Sequence, residues 1–141
     1  MTIFWQLSAA IYRPKEGNYK HWALYLKHKD DCLIFDVKGR HPNFRRSERQ
    51  ANPRNSRSYI KSIYLAEVRE DDIKAFKEAV AATKVDNETS EWDCQDYVLE
   101  ILDKLEAECL IVDDDDDGDD DDDEGTYKKR KEKLKSMRAE Y

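Results

Sequence analysis

The chain has 141 residues, 40% of them charged, and a formal net charge of −7. Eleven of the twelve positions 113–124 are acidic, whereas residues 1–112 hold 18 Lys+Arg against 19 Asp+Glu, so the acidity is a local property of one run. This balance argues against a nucleic-acid-binding body, and no apolar stretch of about 18 residues is present to cross a membrane.

Residues 2–12 alternate in polarity, with Ile3, Trp5, Leu7, Ala9 and Ile11 on one side, which is the period of a strand. Arg13 to Asn18 carries Pro, Gly and Asn and reads as a turn. Lys20–Leu26 and Cys32–Val37 read as two further strands, close enough in sequence for an antiparallel hairpin. Residues 40–57 are basic and loop-like, with a short edge strand near Phe44; Arg45, Arg46, Arg49, Arg54 and Arg57 read as a solvated stretch rather than a phosphate-binding one.

Tyr59–Val68 returns to strand, and Glu70-Asp71-Asp72 suits the start of a helix with Ile73, Phe76, Ala79, Val80 and Thr83 on its apolar face. A second helix follows, capped by Ser90 or a neighbour, with Tyr97, Val98, Ile101, Leu102 and Leu105 in one stripe and its end near Glu108. The expected architecture is α+β: an antiparallel sheet packed with C-terminal helices in residues 1–112. A charged low-complexity tail is expected over 113–141, with no packed core in its acidic run and its final KKRKEKLKSMRAEY either a frayed helix or disordered.

Three cysteines, an odd number, and no leader pattern suit an intracellular chain, cytoplasmic or nuclear, with reduced thiols. No Cys-x-x-Cys or Cys/His cluster offers a metal site, and no cofactor is expected. Lys128 to Lys135, KKRKEKLK, has the composition of a nuclear-import patch, and the acidic run 113–124 is expected to meet a basic protein partner or neutralise those lysines.

Cys94 falls at the first turn of the second helix, where exposed N–H groups and the helix dipole favour a thiolate. A nucleophilic thiol needs a base, and the base an orienting group. His21 lies in the second strand, and a two-residue turn at His28-Lys29 would set it opposite Asp36 on the same sheet face.

These residues resemble a known family. Ile11-Tyr12-Arg13-Pro14 followed by Tyr19-Lys20-His21-Trp22-Ala23-Leu24-Tyr25 is similar to the opening of lecithin:retinol acyltransferase-like proteins, and Asp93-Cys94-Gln95-Asp96-Tyr97-Val98 to their Asn-Cys-Glu-His-Phe-Val. The order, histidine early and cysteine late, is that of circularly permuted NlpC-type papain-like cysteine hydrolases, including isopeptidases of ubiquitin-like proteins. The resemblance implies a permuted papain-like fold. It makes Cys94 the nucleophile, His21 the base and Asp36 the orienter, with Tyr19, Trp22 and Gln95 at the substrate or oxyanion side. The implied reaction is hydrolysis or acyl transfer through an acyl-enzyme, on an ester, thioester or (iso)peptide bond of a lipid, acyl or peptide substrate. Asp93 stands where that family has a neutral amide, and its charge is expected to raise the thiol pKa. The competing expectation is a catalytically inactive module that binds through its acidic and basic tail.

Overall fold

The structure is a computed structural model and describes residues 2–14, 20–112 and 126–139. Its strands are β1 (Phe4–Tyr12), β2 (His21–His28), β3 (Asp31–Lys38), β4 (Arg45–Gln50) and β5 (Tyr59–Arg69). They form one antiparallel sheet in the order β4-β3-β2-β1-β5. The helices are α1 (Ile73–Ala82), α2 (Cys94–Ala107) and α3 (Tyr127–Ser136), the first preceded by a 3-10 turn at Glu70–Asp72. The fold is therefore α+β, with helices grouped after the sheet.

Period-two alternation sorts the strand side chains onto two faces. Leu7, Ala9 and Ile11, then Trp22, Leu24 and Leu26, then Phe35 and Val37 face the helices and join Phe76, Val80, Val98, Ile101 and Leu102 in the main core. The opposite face carries a smaller cluster of Ala10, Tyr12, Ala23, Tyr25 and Ile34, with Tyr59 packed at its margin.

The β2–β3 hairpin turns at Lys29-Asp30, with Lys29 at φ 53, and pairs His28 with Asp31. The turn expected at His28-Lys29 is thus displaced by one residue, and the register by two. A two-residue slip preserves side-chain parity, so His21 and Asp36 still share a face, as diagonal rather than direct neighbours.

The basic stretch after Gly39 also departs from a solvated loop, because Arg45–Gln50 is an edge strand paired to β3. Alternation there sends Arg46 to the helix side, where it donates to the Tyr97 hydroxyl at 3.1 Å and the Thr83 carbonyl at 2.6 Å, while Arg49 goes to the other side.

The greatest difference from expectation lies beyond residue 112. The run 113–124 and the chain's last two residues lie outside the described residues, but 126–139 are not tail-like. Thr126 caps α3 through the Lys129 N–H at 3.1 Å, and Tyr127, Leu134 and Met137 enter the main core. Arg130 lies 4.7 Å over the Tyr64 ring of β5. Lys131, its ammonium tucked against α2, bonds the Asp103 carboxylate at 2.5 Å and also the Glu106 carboxylate. Lysine-rich composition hid an amphipathic turn: one face of the helix is cationic, and its Leu134 is wholly buried.

Replacing Leu134 by Ala is expected to cost about 2–5 kcal/mol, the range for a leucine truncated inside a core. Urea denaturation would measure it. A loss within a few tenths of zero would mean that α3 is not part of the fold.

Candidate active site

The ladder between β2 and β3 runs from His28↔Asp31 to Leu24↔Phe35 and stops, although β2 continues to His21 and β3 to Lys38. At this end the two strands part. Backbone groups on the parted edge need other partners, and α2 supplies them. The Trp22 N–H points to the Cys94 Sγ at 3.4 Å, the thiol makes a long 3.9 Å contact to the Lys20 carbonyl, and Gln95 Nε2 donates to that same carbonyl at 3.0 Å. Lys20 and Trp22 are two residues apart and so use the same strand edge.

The start of α2 is fixed by Asp93, not by Ser90. Its carboxylate accepts from the Gln95 N–H at 2.8 Å and more weakly from Asp96, and the Asp96 carboxylate accepts from the Asp93 N–H at 3.0 Å. This reciprocal capping box satisfies the orphan donors of the first turn. Arg138 Nη1, just past α3, donates to Asp96 at 2.7 Å and so ties the chain's end to the cap. The far end of α2 closes with Cys109 at φ 57, Leu110 N–H bonding the Leu105 carbonyl and Cys109 N–H that of Glu106. That is a Schellman arrangement with cysteine where glycine is usual.

His21 and Asp36 meet as the sequence suggested: Nε2 lies 2.9 Å from Asp36 Oδ2, with Asp36 buried and His21 partly open. The contact assigns the Nε2 proton to the carboxylate hydrogen bond and leaves Nδ1 as the acceptor. Asp36 also faces Arg49 at 3.6 Å.

Cys94 belongs to the helix-side core, whereas His21 projects to the opposite side, 5.5 Å from the Tyr12 ring. The parted edge is where the two sides communicate. Standard peptide dimensions put the Trp22 nitrogen about 2.4 Å from the His21 Cα, so the sulfur lies within about 6 Å of that Cα. The hydrogen-bonding partners of the sulfur are nonetheless the two backbone groups and not the imidazole.

The thiol is 2% exposed and its pKa is pushed up to about 12. Burial is the main cause. The Trp22 N–H works against it, and the charges of Asp93 and Asp36 add to it. Asp93 thus has the effect expected of a carboxylate beside a thiol, and its own pKa is raised, chiefly by burial.

The remaining sequence candidates separate. Trp22 is fully buried in the helix-side core, its indole N–H without a partner among the described residues. Gln95 is 2% exposed and its amide is spent on Lys20, so it is a strut between α2 and β2 rather than an oxyanion donor. Tyr19 lies outside the described residues. Cys32 is buried near the other end of the sheet and Cys109 is exposed; neither is disulfide-bonded.

Sequence reasoning missed two residues that frame the dyad. Tyr12, Arg49, His21 and Asp36 come one each from four adjacent strands, on the side away from the helices. They line a cleft of about 500 Å³. Parity would have placed Tyr12 beside His21 once β1 and β2 were paired; nothing marked Arg49 as strand rather than loop. A smaller cleft of about 360 Å³, beside the β2–β3 turn, includes Cys32 but none of the catalytic candidates.

Because the thiolate is the alkylated form, a thiol titrating near 12 alkylates at a rate that keeps rising above pH 9, the ordinary thiol value. Asp93→Asn keeps a capping acceptor and removes a charge that holds the thiol protonated. The Cys94 rate profile with iodoacetamide should therefore move to lower pH, as read by peptide mass spectrometry, while exposed Cys109 is unchanged. An unmoved Cys94 profile would discount Asp93 as a cause.

Comparison with known proteins places this architecture in a family by sequence. No curated protein and no solved structure gives a match. The family described as "Family of unknown function (DUF6540)" matches residues 7–112, a span from β1 to the bridge between Val112 and Glu67 that contains Cys94, His21 and Asp36 and stops short of α3. The chain belongs to the DUF6540 family.

Proposed function

We propose that the protein is a thiol-dependent hydrolase or acyltransferase of permuted papain-like type, with Cys94 as nucleophile, His21 as general base and Asp36 as orienter. The supporting observation is the convergence at the parted end of β2 and β3: a helix-start thiol on the Trp22 N–H and a histidine–carboxylate pair on the adjoining residue. Residues 72 positions apart in sequence meet there.

The resting sulfur is a thiol, so proton removal accompanies attack. His21 Nδ1 takes the Cys94 proton as Sγ bonds to the carbonyl carbon, and the carbonyl π pair moves to oxygen. Collapse of that oxyanion breaks the bond to the leaving alkoxide, thiolate or amine, which receives the proton from His21. Water, or an acceptor alcohol or amine, then attacks the acyl-enzyme, gives its proton to His21, and the thiol is restored. Asp36 holds the ring and stabilises the imidazolium. Reaction requires the first turn of α2 to open to substrate and the His21 ring, which projects to the opposite side of the sheet, to turn through the parted edge towards the sulfur.

A second reading, a catalytically inactive binding module, is favoured by the buried, protonated thiol. Its test is charge neutralisation of 113–124 alone. Deletion of 113–141 would also strip α3 from the core. Under the binding reading, neutralisation abolishes retention on polylysine resin.

Activated esters, thioesters and a ubiquitin-like C-terminal thioester, each incubated with the full chain, should leave an acyl mass on the Cys94 peptide with at least one of them. His21→Asn should slow that acylation by about 10²–10⁴-fold, the usual share of a general base, with the thermal melt preserved. Acylation that is absent across the panel, or indifferent to His21→Asn, overturns the catalytic reading.

A further inference from the structure

Among the described residues, three buried polar atoms that make no hydrogen bond meet in one place: the Tyr12 hydroxyl, Asp36 Oδ1 and Arg49 Nη1, the last two facing each other as an ion pair at 3.6 Å. All three residues line the cleft beside His21. Buried polar atoms are nearly always paired, and leaving one unpaired is costly. A buried hydroxyl with no partner, beside a carboxylate–guanidinium pair held too far apart for a hydrogen bond, marks a place able to receive a polar group.

The chemistry of that group follows from the donors. Arg49 carries a permanent positive charge with N–H groups to give. Tyr12 has its pKa raised to about 12, by burial first and by Asp36 next, and so stays a hydroxyl donor at neutral pH. Its ring is held in place by Tyr59, 6.2 Å away and edge-on, and by His21. Arg13 and Lys38 stand at the same cleft, and Asp36, already facing His21 and Arg49, is the one acidic residue among the described residues that line it. The lining is net cationic, which favours an anion over a neutral or cationic group. Oδ1 of Asp36 adds an acceptor suited to a hydroxyl or N–H carried beside the anionic group.

We propose that the cleft is an oxyanion-binding subsite that takes a phosphate or carboxylate group through Tyr12, Arg49 and the Arg13/Lys38 rim. Placed against His21, it selects ligands whose anionic end lies close to the dyad. It requires no chemistry at Cys94, so it stands or falls apart from the catalytic reading.

The experiment is calorimetric titration of the full-length chain, and of its Cys94→Ser variant, with inorganic phosphate and separately with acetate. Saturable millimolar or tighter binding of at least one anion is expected, equal in both proteins. The stronger of the two names the source, a phosphoryl or a carboxyl group. Arg49→Gln and Tyr12→Phe should each weaken it about tenfold or more, the worth of a hydrogen bond to a charged group. Lys84→Gln, at an exposed lysine paired with Glu88, should leave it unchanged. Thermal melts establish that each variant is folded. Absence of saturable binding for both anions overturns the subsite. So does equal weakening by Arg49→Gln and Lys84→Gln, which would reduce the effect to general surface charge.

Discussion

The parted edge of β2 is the constraint on which the rest depends. A central strand cannot leave backbone groups unpaired, and β3 diverges before β2 ends. The first turn of α2 fills that gap with a sulfur and an amide. This one arrangement fixes the depth and direction of α2, commits Gln95 to structure, and buries Cys94 at the level of the sheet backbone rather than above it.

Burial in the gap has opposite effects on the two halves of the candidate site. The thiol loses water and stays protonated. His21, one residue before the nitrogen that holds the sulfur, keeps a solvent-facing ring and a fixed carboxylate partner. A helix start ordinarily promotes a thiolate, but here Asp93 and Asp36 both place negative charge near it. The capping box that secures α2 therefore works against ionisation of the residue it positions. On the other face the same Asp36 is compensated by Arg49, so one buried carboxylate links the thiol, the imidazole and the cationic cleft.

Much of this was legible in the residues. Alternation in residues 2–12 and apolar spacing in 94–105 were strong periodic signals, and parity alone put His21 and Asp36 on one face even with the turn misplaced by one residue. The cap stays open between Ser90 and its neighbours in the sequence because Ser90 and Asp93 are both good capping residues, and tertiary docking against Lys20 and Trp22 decides between them. The edge strand expected near Phe44 is not extended over Arg45–Gln50 by the residue pattern because RRSERQ has no apolar residue; an edge strand with one face on solvent does not need it, and its charges also discourage pairing with another chain. The docking of α3, a segment that reads as a frayed helix or disorder, escaped notice for a related reason: Leu134 and Met137 are few among lysines, and their burial depends on grooves supplied by β5 and α2.

The bond from Arg138 to the Asp96 carboxylate has a consequence for how a disturbance travels through the molecule. Asp93 and Asp96 place two carboxylates at the start of α2, and Arg138 is a cation that faces them. Loss of α3 from its groove would therefore do more than open the core: it would withdraw a charge that offsets those carboxylates beside Cys94. The electrostatics of the helix start are thereby tied to the docking of α3 and not to the sheet alone.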